Sequence, residues 1–204
     1  MPLNMPKVPQ GVSITNKGKA AMYATQDLRD EHEGILLMLS VLERLGTTLQ
    51  VDHTVNLQDL EQILGFLSNF ADRCHHGKEE DVLFPSLIRA GISDRGGPIG
   101  VMLAEHAQGR SLIQAMRESL SRLQAGDEAS RPEFVGAALG YVRLLRDHID
   151  KENTILFVIA EQRLTSDEHA RLAEGFTQIE RERIGDGVHE QYHVLLHQLL
   201  DTYL

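Results

Sequence analysis

One ten-residue segment occurs twice in this chain. Residues 75–84 read HHGKEEDVLF and residues 148–157 read HIDKENTILF. Laid over each other, they match His75 with His148, Lys78 with Lys151, Glu79 with Glu152, Leu83 with Leu156 and Phe84 with Phe157. Each copy is H-x-x-x-E, followed four residues later by Leu-Phe. A second pair, EHEG (31–34) and EHAQ (105–108), matches His32 with His106. The two histidines of each half stand forty-three residues apart in one and forty-two in the other. Any fold for this chain has to set two copies of one structural pair around a common centre.

Helical periodicity runs through the chain, and alternation of the kind strands need is missing from the sequence. A first helix starts at Thr25, a suitable N-cap, with Gly46 a candidate C-cap. Asn56 caps a second, long helix in which Pro85 is expected to kink or interrupt the late part. The turn DRGGPIG opens a third helix from Pro98 to about Leu123. Pro132 stands where a first-turn proline belongs and opens a fourth, to about Leu164. Shorter helices are expected from Asp167 to about Arg183 and from about Val188 to Tyr203, split by GDG. The class is all-α: an up-down four-helix bundle over 25–164, a C-terminal two-helix appendage over 165–204, and an irregular arm over 1–24 that holds three of the six prolines.

Residues four apart share a helix face, so His75 with Glu79 and His148 with Glu152 each aim two donors the same way. Leu83 and Leu156 continue those stripes, which turns them into the bundle. One inward histidine from each of the first and third helices, His32 and His106, completes the set. Four imidazoles and two carboxylates converging in an apolar interior would be heavily destabilising without cations to satisfy them. Imidazole with carboxylate suits iron, zinc or manganese, and two glutamates able to bridge favour a dinuclear centre. The neighbouring pair His76 and Glu80 has the same spacing, but Ile149 and Asn153 replace it in the second copy. His76 and Glu80 are therefore expected to be dispensable for metal.

The order H…HxxxE…H…HxxxE over about residues 26–164 resembles the hemerythrin-like, HHE cation-binding family. The resemblance implies an oxo- or hydroxo-bridged, non-haem di-iron centre, two iron ions per chain, with His32, His75, Glu79, His106, His148 and Glu152 as ligands and both carboxylates bridging. It further implies O2, NO or peroxide as the small ligand, in gas binding, sensing or stress response. The alternatives are iron storage or delivery for iron-sulfur repair, with a redox or iron-sulfur protein as partner, and an oxidoreductase consuming peroxide or nitric oxide. The chain departs from the oxygen carriers at one point. Their third helix carries HxxxH, and four residues after His106 stands Arg110. One histidine fewer leaves more open coordination and brings the chain nearer to the repair, nitric-oxide-responsive and peroxide-handling relatives.

A formal net charge of −10 argues against nucleic acid or an anionic membrane surface as partner. No apolar stretch is read as approaching the roughly 20 residues of a spanning helix. A single cysteine, Cys74, excludes an internal disulfide, fits a cytoplasmic protein, and is expected to serve packing. Glu31 and Glu105, each preceding a site histidine, are expected to be solvated, with a place behind the ligand rings the alternative, and His53 and His169 to lie on the surface. Tyr141, seven residues before His148, reads as core, with a place at the cavity the alternative. His189, His193 and His197 form an i, i+4, i+8 stripe that is either a partly exposed docking face or a further metal-binding element.

Overall fold

The computed structural model describes residues 23–51, 55–185 and 187–204, and among them no strand occurs. The arm expected over 1–24 lies almost wholly outside the described residues, as does His53. Helix α1 spans Thr25–Val51. It runs straight through Gly46, the expected stop, where the helix packs on Ala138 and Leu139 instead of ending. The Asn56 side chain accepts the Gln58 N–H and starts α2, Leu57–Phe66. The same rod continues through wider π-helical turns at Leu67–His76 and Glu79–Leu83 into α3, Phe84–Arg89. Then follow α4, Pro98–Gln124, and α5, Arg131–Lys151, each with a proline in its first turn. Another π turn, Glu152–Leu156, joins α5 to α6, Phe157–Arg163. A reciprocal Thr165–Glu168 capping box opens α7, Ser166–Arg183, and α8 is Val188–Tyr203. Gly185 and Gly187, at φ 89° and 78°, make the break between the last two.

The interruption expected at Pro85 comes before it, and proline is not its cause. The Phe84 N–H donates to the Glu79 carbonyl, and the Phe157 N–H donates to the Glu152 carbonyl. Position 158, which corresponds to Pro85, is valine, yet the same five-residue turn forms. What the two turns share is a buried glutamate at their first residue, and such turns recur at functional sites.

Helix α1 packs on α5 and α8, and α4 packs on α5. The apolar interior falls into two clusters. One gathers Ile35, Leu39, Leu42, Ile113, Met116, Tyr141 and Leu145, the other Leu28, Leu83, Phe84, Met102, Leu156 and Phe157. Along each rod the site positions fall between the clusters: Glu31 and His32 between Leu28 and Ile35, His106 between Met102 and Ile113. A polar layer thus crosses the middle of an otherwise dry core. The last two helices join both clusters. Leu196 and Leu199 of α8 pack into the first, and Leu172 and Phe176 of α7 into the second. A Cβ at Gly175 would come within 2.8 Å of Val82, so only glycine lets α7 lie this close.

Hydropathy corrects one expectation. An 18-residue window of α1 has a mean hydropathy of 1.3, enough by length and composition for a crossing segment. In this fold the helix turns Leu28, Ile35, Leu39 and Leu42 inward beside Glu31 and His32. A helix facing hydrocarbon would not carry that pair.

Candidate metal centre

All six positions singled out by the duplication meet in the polar layer. His32, His75, Glu79, His106, His148 and Glu152 are each at most 1% exposed. His32 Nε2 lies 2.9 Å from His75 Nε2, and His106 Nε2 lies 3.1 Å from His148 Nε2. The carboxylates link these two pairs. Glu152 sets Oε2 3.2 Å from His32 Nε2 and Oε1 3.2 Å from His148 Nε2. Glu79 sets Oε1 3.8 Å from His75 Nε2 and Oε2 3.4 Å from His106 Nε2. Each glutamate therefore gives one oxygen to each histidine pair.

The donor set fits bound metal on two counts. None of the four carboxylate oxygens of Glu79 and Glu152 has a well-formed hydrogen-bond partner among the described residues, though all are buried. Such orphaned charge is expensive unless a cation meets it. The paired nitrogens are also correctly spaced. Two nitrogens about 2.1 Å from one ion, at a right angle, stand about 3 Å apart. In the metal-free protein, protons do part of the cation's work. Burial drives the His106 imidazole toward neutrality, but the Glu79 and Glu80 carboxylates facing its two ring nitrogens overcome this and hold its pKa at about 9. Burial likewise opposes ionisation of Glu152, and the His148 and His32 rings outweigh it, keeping that carboxyl well below its usual range.

A second layer holds the rings, and it is duplicated as well. Glu31 Oε2 accepts at 2.8 Å from His75 Nδ1, and Glu105 Oε2 at 2.9 Å from His148 Nδ1. Lys78 pairs with Glu31 and Lys151 with Glu105. Asn153 Oδ1 lies 3.0 Å from His32 Nδ1, and Glu80 Oε1 lies 2.6 Å from His106 Nδ1. With each Nδ1 engaged outward, Nε2 is the nitrogen left to face the centre. The expectation of solvated glutamates fails here: Glu31 is buried and Glu105 half-buried, because each reaches across to a ring on the neighbouring helix. Lys78 and His75 hold the Glu31 carboxyl near a pKa of about 2 against the opposing effect of burial. Glu80, expected to be dispensable, is a partner of His106. The sequence signal was present in the matched Lys78 and Lys151 and in the glutamate preceding each of His32 and His106.

His76 is the residue that sequence reasoning undervalued. It is 3% exposed, its ring stacks on His106 with centroids 3.8 Å apart, and one of its ring nitrogens lies within 4.8 Å of donor atoms from Glu79, His106 and His148. Burial and the surrounding imidazoles keep it neutral, with its pKa well below the ordinary value. Tyr141 is fully buried, beside Gly109, with no hydrogen bond to its hydroxyl among the described residues. His169, expected on the surface, is 2% exposed; its Nδ1 accepts the Ala24 N–H at 3.2 Å and so anchors the start of α1. Cys74 is buried, and burial pushes its thiol up to about 12. Of the C-terminal stripe, His189 and His193 are half-buried and His197 is exposed. His189 packs edge-on to Phe70 and pairs with Glu180 at 3.2 Å; Glu31 completes a third donor group with these two, but Lys78 already bridges both carboxylates.

Fold and site together define an all-helical protein whose core is built around a His/Glu cluster able to hold metal. Residues 23–160 match the model of the hemerythrin HHE cation-binding domain, and the chain belongs to that family. Over 174 residues it is 26% identical to an uncharacterized protein of Mycobacterium tuberculosis and, with the same figures, to one of Mycobacterium bovis; the match spans 84% of this chain and 67% of each relative. A shorter match to the iron-sulfur cluster repair protein YtfE of Escherichia coli is 31% identical over 85 residues, covering 41% of this chain and 39% of that protein. No solved structure matches the chain.

Proposed function

We propose that this chain is a hemerythrin-type di-iron protein that binds or reacts with O2, NO or peroxide, with residues 25–164 as an up-down four-helix bundle and 165–204 as helices packed against it. The observation that carries the reading is that Glu79 and Glu152 each divide their two oxygens between the two histidine pairs. A mononuclear site has no use for carboxylates spread in this way, whereas two ions side by side use all four oxygens. His32, His75, His106 and His148 would then hold the irons through Nε2, with both glutamates bridging. When bound, the two irons supply one-electron chemistry and an open position for a small oxidant.

The protein's own part is to orient and to exclude. The Nδ1 partners fix each ring so that the donors need no rearrangement when metal enters. Leu83, Phe84, Leu156 and Phe157 line the adjoining apolar layer and keep water from the centre; Leu36 borders the other layer. Phe157 stacks at 5.4 Å on His32, and Phe84 at 5.9 Å on His106, a repeat of the same shielding in each half. The buried, single cysteine accords with a cytoplasmic setting.

A second reading, iron storage or delivery for repair of iron-sulfur centres, draws on the partial likeness to YtfE. It would add a redox or iron-sulfur protein as partner. The deciding experiment is iron content with the visible spectrum before and after O2, NO and peroxide. About two irons per chain and a spectrum that responds to one of these oxidants is the expected result. One tightly held zinc, with no dinuclear signal, would sink the proposal. Iron that is released to an apo iron-sulfur protein, without a response to the gases, would favour the second reading.

A further inference from the structure

We infer that His76 is a fifth histidine donor to the centre, completing the half held by His106 and His148 and leaving the half held by His32 and His75 the more open. The inference rests on the metal-binding reading above and deepens it, since it assigns the two metal positions unequal surroundings.

The placement of the ring is the first argument. His76 is 3% exposed and stands against His106 and His148 of the central layer. Its ring lies nearly parallel to His106, at 12°, and edge-on to His148 with centroids 5.6 Å apart. A ring nitrogen of His76 falls within 4.8 Å of donor atoms from Glu79, His106 and His148; Glu79 is shared between the halves, and both histidines belong to one. A buried imidazole with no task in a dry core is a cost that packing alone does not require.

The second argument is how the ring is held. Asp72, His76 and Glu80 follow one another at four-residue intervals along one rod. His76 Nδ1 is 3.4 Å from Asp72 Oδ1. Arg110 reaches over from α4, placing Nε 2.7 Å from Asp72 Oδ1 and Nη2 2.6 Å from Glu80 Oε1. One guanidinium therefore braces both the acid that faces His76 and the acid that holds His106. With Nδ1 turned to Asp72, Nε2 is the nitrogen directed away from this brace. This is the same outward-Nδ1 arrangement that the four other rings show.

The third argument is the broken symmetry. Much of the centre is matched between the halves: both H-x-x-x-E pairs, the glutamates on the Nδ1 atoms of His75 and His148, the lysines behind them and the stacked phenylalanines; a further difference is Glu80 on His106 against Asn153 on His32. Position 149, the counterpart of His76, is isoleucine, 3% exposed. Hydrocarbon cannot donate, so the half with His32 and His75 has no fifth ring from that position, and a small oxidant would enter there.

The test compares the full wild-type chain with His76→Ile, which copies the second repeat, and His76→Gln. Each is loaded with iron, its metal is counted, and the iron environments are read by Mössbauer spectroscopy, with thermal unfolding of the metal-free forms as the folding control. Wild type is expected to show two unlike iron environments. His76→Ile is expected to bind one iron about 10-fold or more weakly, and at saturating iron its two environments should converge. Should His76→Ile fail to fold, His76→Gln carries the same comparison of affinity with a polar side chain. Two irons held with wild-type affinity and unchanged spectra in the folded variant would overturn the inference and leave the di-iron reading standing. A wild-type chain that takes up no iron would instead overturn the reading beneath it.

Discussion

Glu31 lies 44 residues from His75 in sequence, and its Oε2 sits 2.8 Å from His75 Nδ1. Glu105 stands in the same relation to His148. The helix that contributes one inward histidine thus also orients the ring on the rod beside it, in both halves of the molecule.

Removing these carboxylates should loosen the metal without removing a donor. Glu31→Ala and Glu105→Ala are each expected to weaken iron binding by roughly 10- to 100-fold, the usual effect of losing a partner behind a metal-bound ring. Competition with a chelator measures this. Glu31→Ala should also lower the melting temperature more than Glu105→Ala. Lys78 is 3% exposed and would keep Glu180 alone, whereas Lys151 has solvent at hand. Equal affinities for both variants and wild type would refute the role.

The glutamates of the centre should behave differently. Glu79→Ala and Glu152→Ala each remove an oxygen from both histidine pairs, so iron content should fall below two per chain instead of being merely weakened. Glu80→Ala, which frees His106 Nδ1 and one end of Arg110 but removes no oxygen from the centre, should retain two irons with reduced affinity. Full iron content in Glu79→Ala would mean that this carboxylate does not bridge.

Tyr141 offers a stability test with an unusual sign. Its hydroxyl is buried and lacks a hydrogen bond among the described residues. Tyr141→Phe deletes an unsatisfied polar group and keeps the ring, so the metal-free protein should gain stability, by about 1 kcal/mol. Denaturant unfolding reads the difference. A loss of similar size would mean that the hydroxyl has a partner such as an ordered water.

Attachment of α8 should depend on pH through His189 and Glu180. The Glu180 hydrogen bond raises the His189 pKa against the effect of burial, and the same bond lowers that of Glu180. Lys78 faces Glu180 from the bundle with Glu31 behind it, and His193 stacks on His189 with centroids 4.7 Å apart. A raised histidine contributes stability that is complete below its ordinary value of 6.5 and fades as pH rises through the folded one. A lowered carboxyl contributes above its ordinary 4.5 and fades as pH falls. The pair is therefore most effective between these values. The melting temperature of wild type minus that of His189→Gln should shrink from about pH 5.5 to about pH 8. A constant difference would show that His189 acts through its packing on Phe70 alone.

The sequence by itself determined the helical class, the helix order and the six central residues. The duplication did this, because a spacing of four on a helix is already a statement about which side chains share a face. The N-cap at Asn56 and the first-turn prolines were equally local, so their signals survived into the fold. What the sequence left open was settled by contacts between distant segments. Gly46 does not end α1, since packing against α5 overrides a local stop signal. Glu31, Glu105 and Glu80 became ring partners only when neighbouring rods brought them across. His76 was undervalued because Ile149 stands in its place in the second copy, so the duplication spoke against a shared role. The direction it faces is occupied by α4, and there it meets His106. Periodicity reports which way a side chain leaves its own helix; only the packed structure decides what it meets.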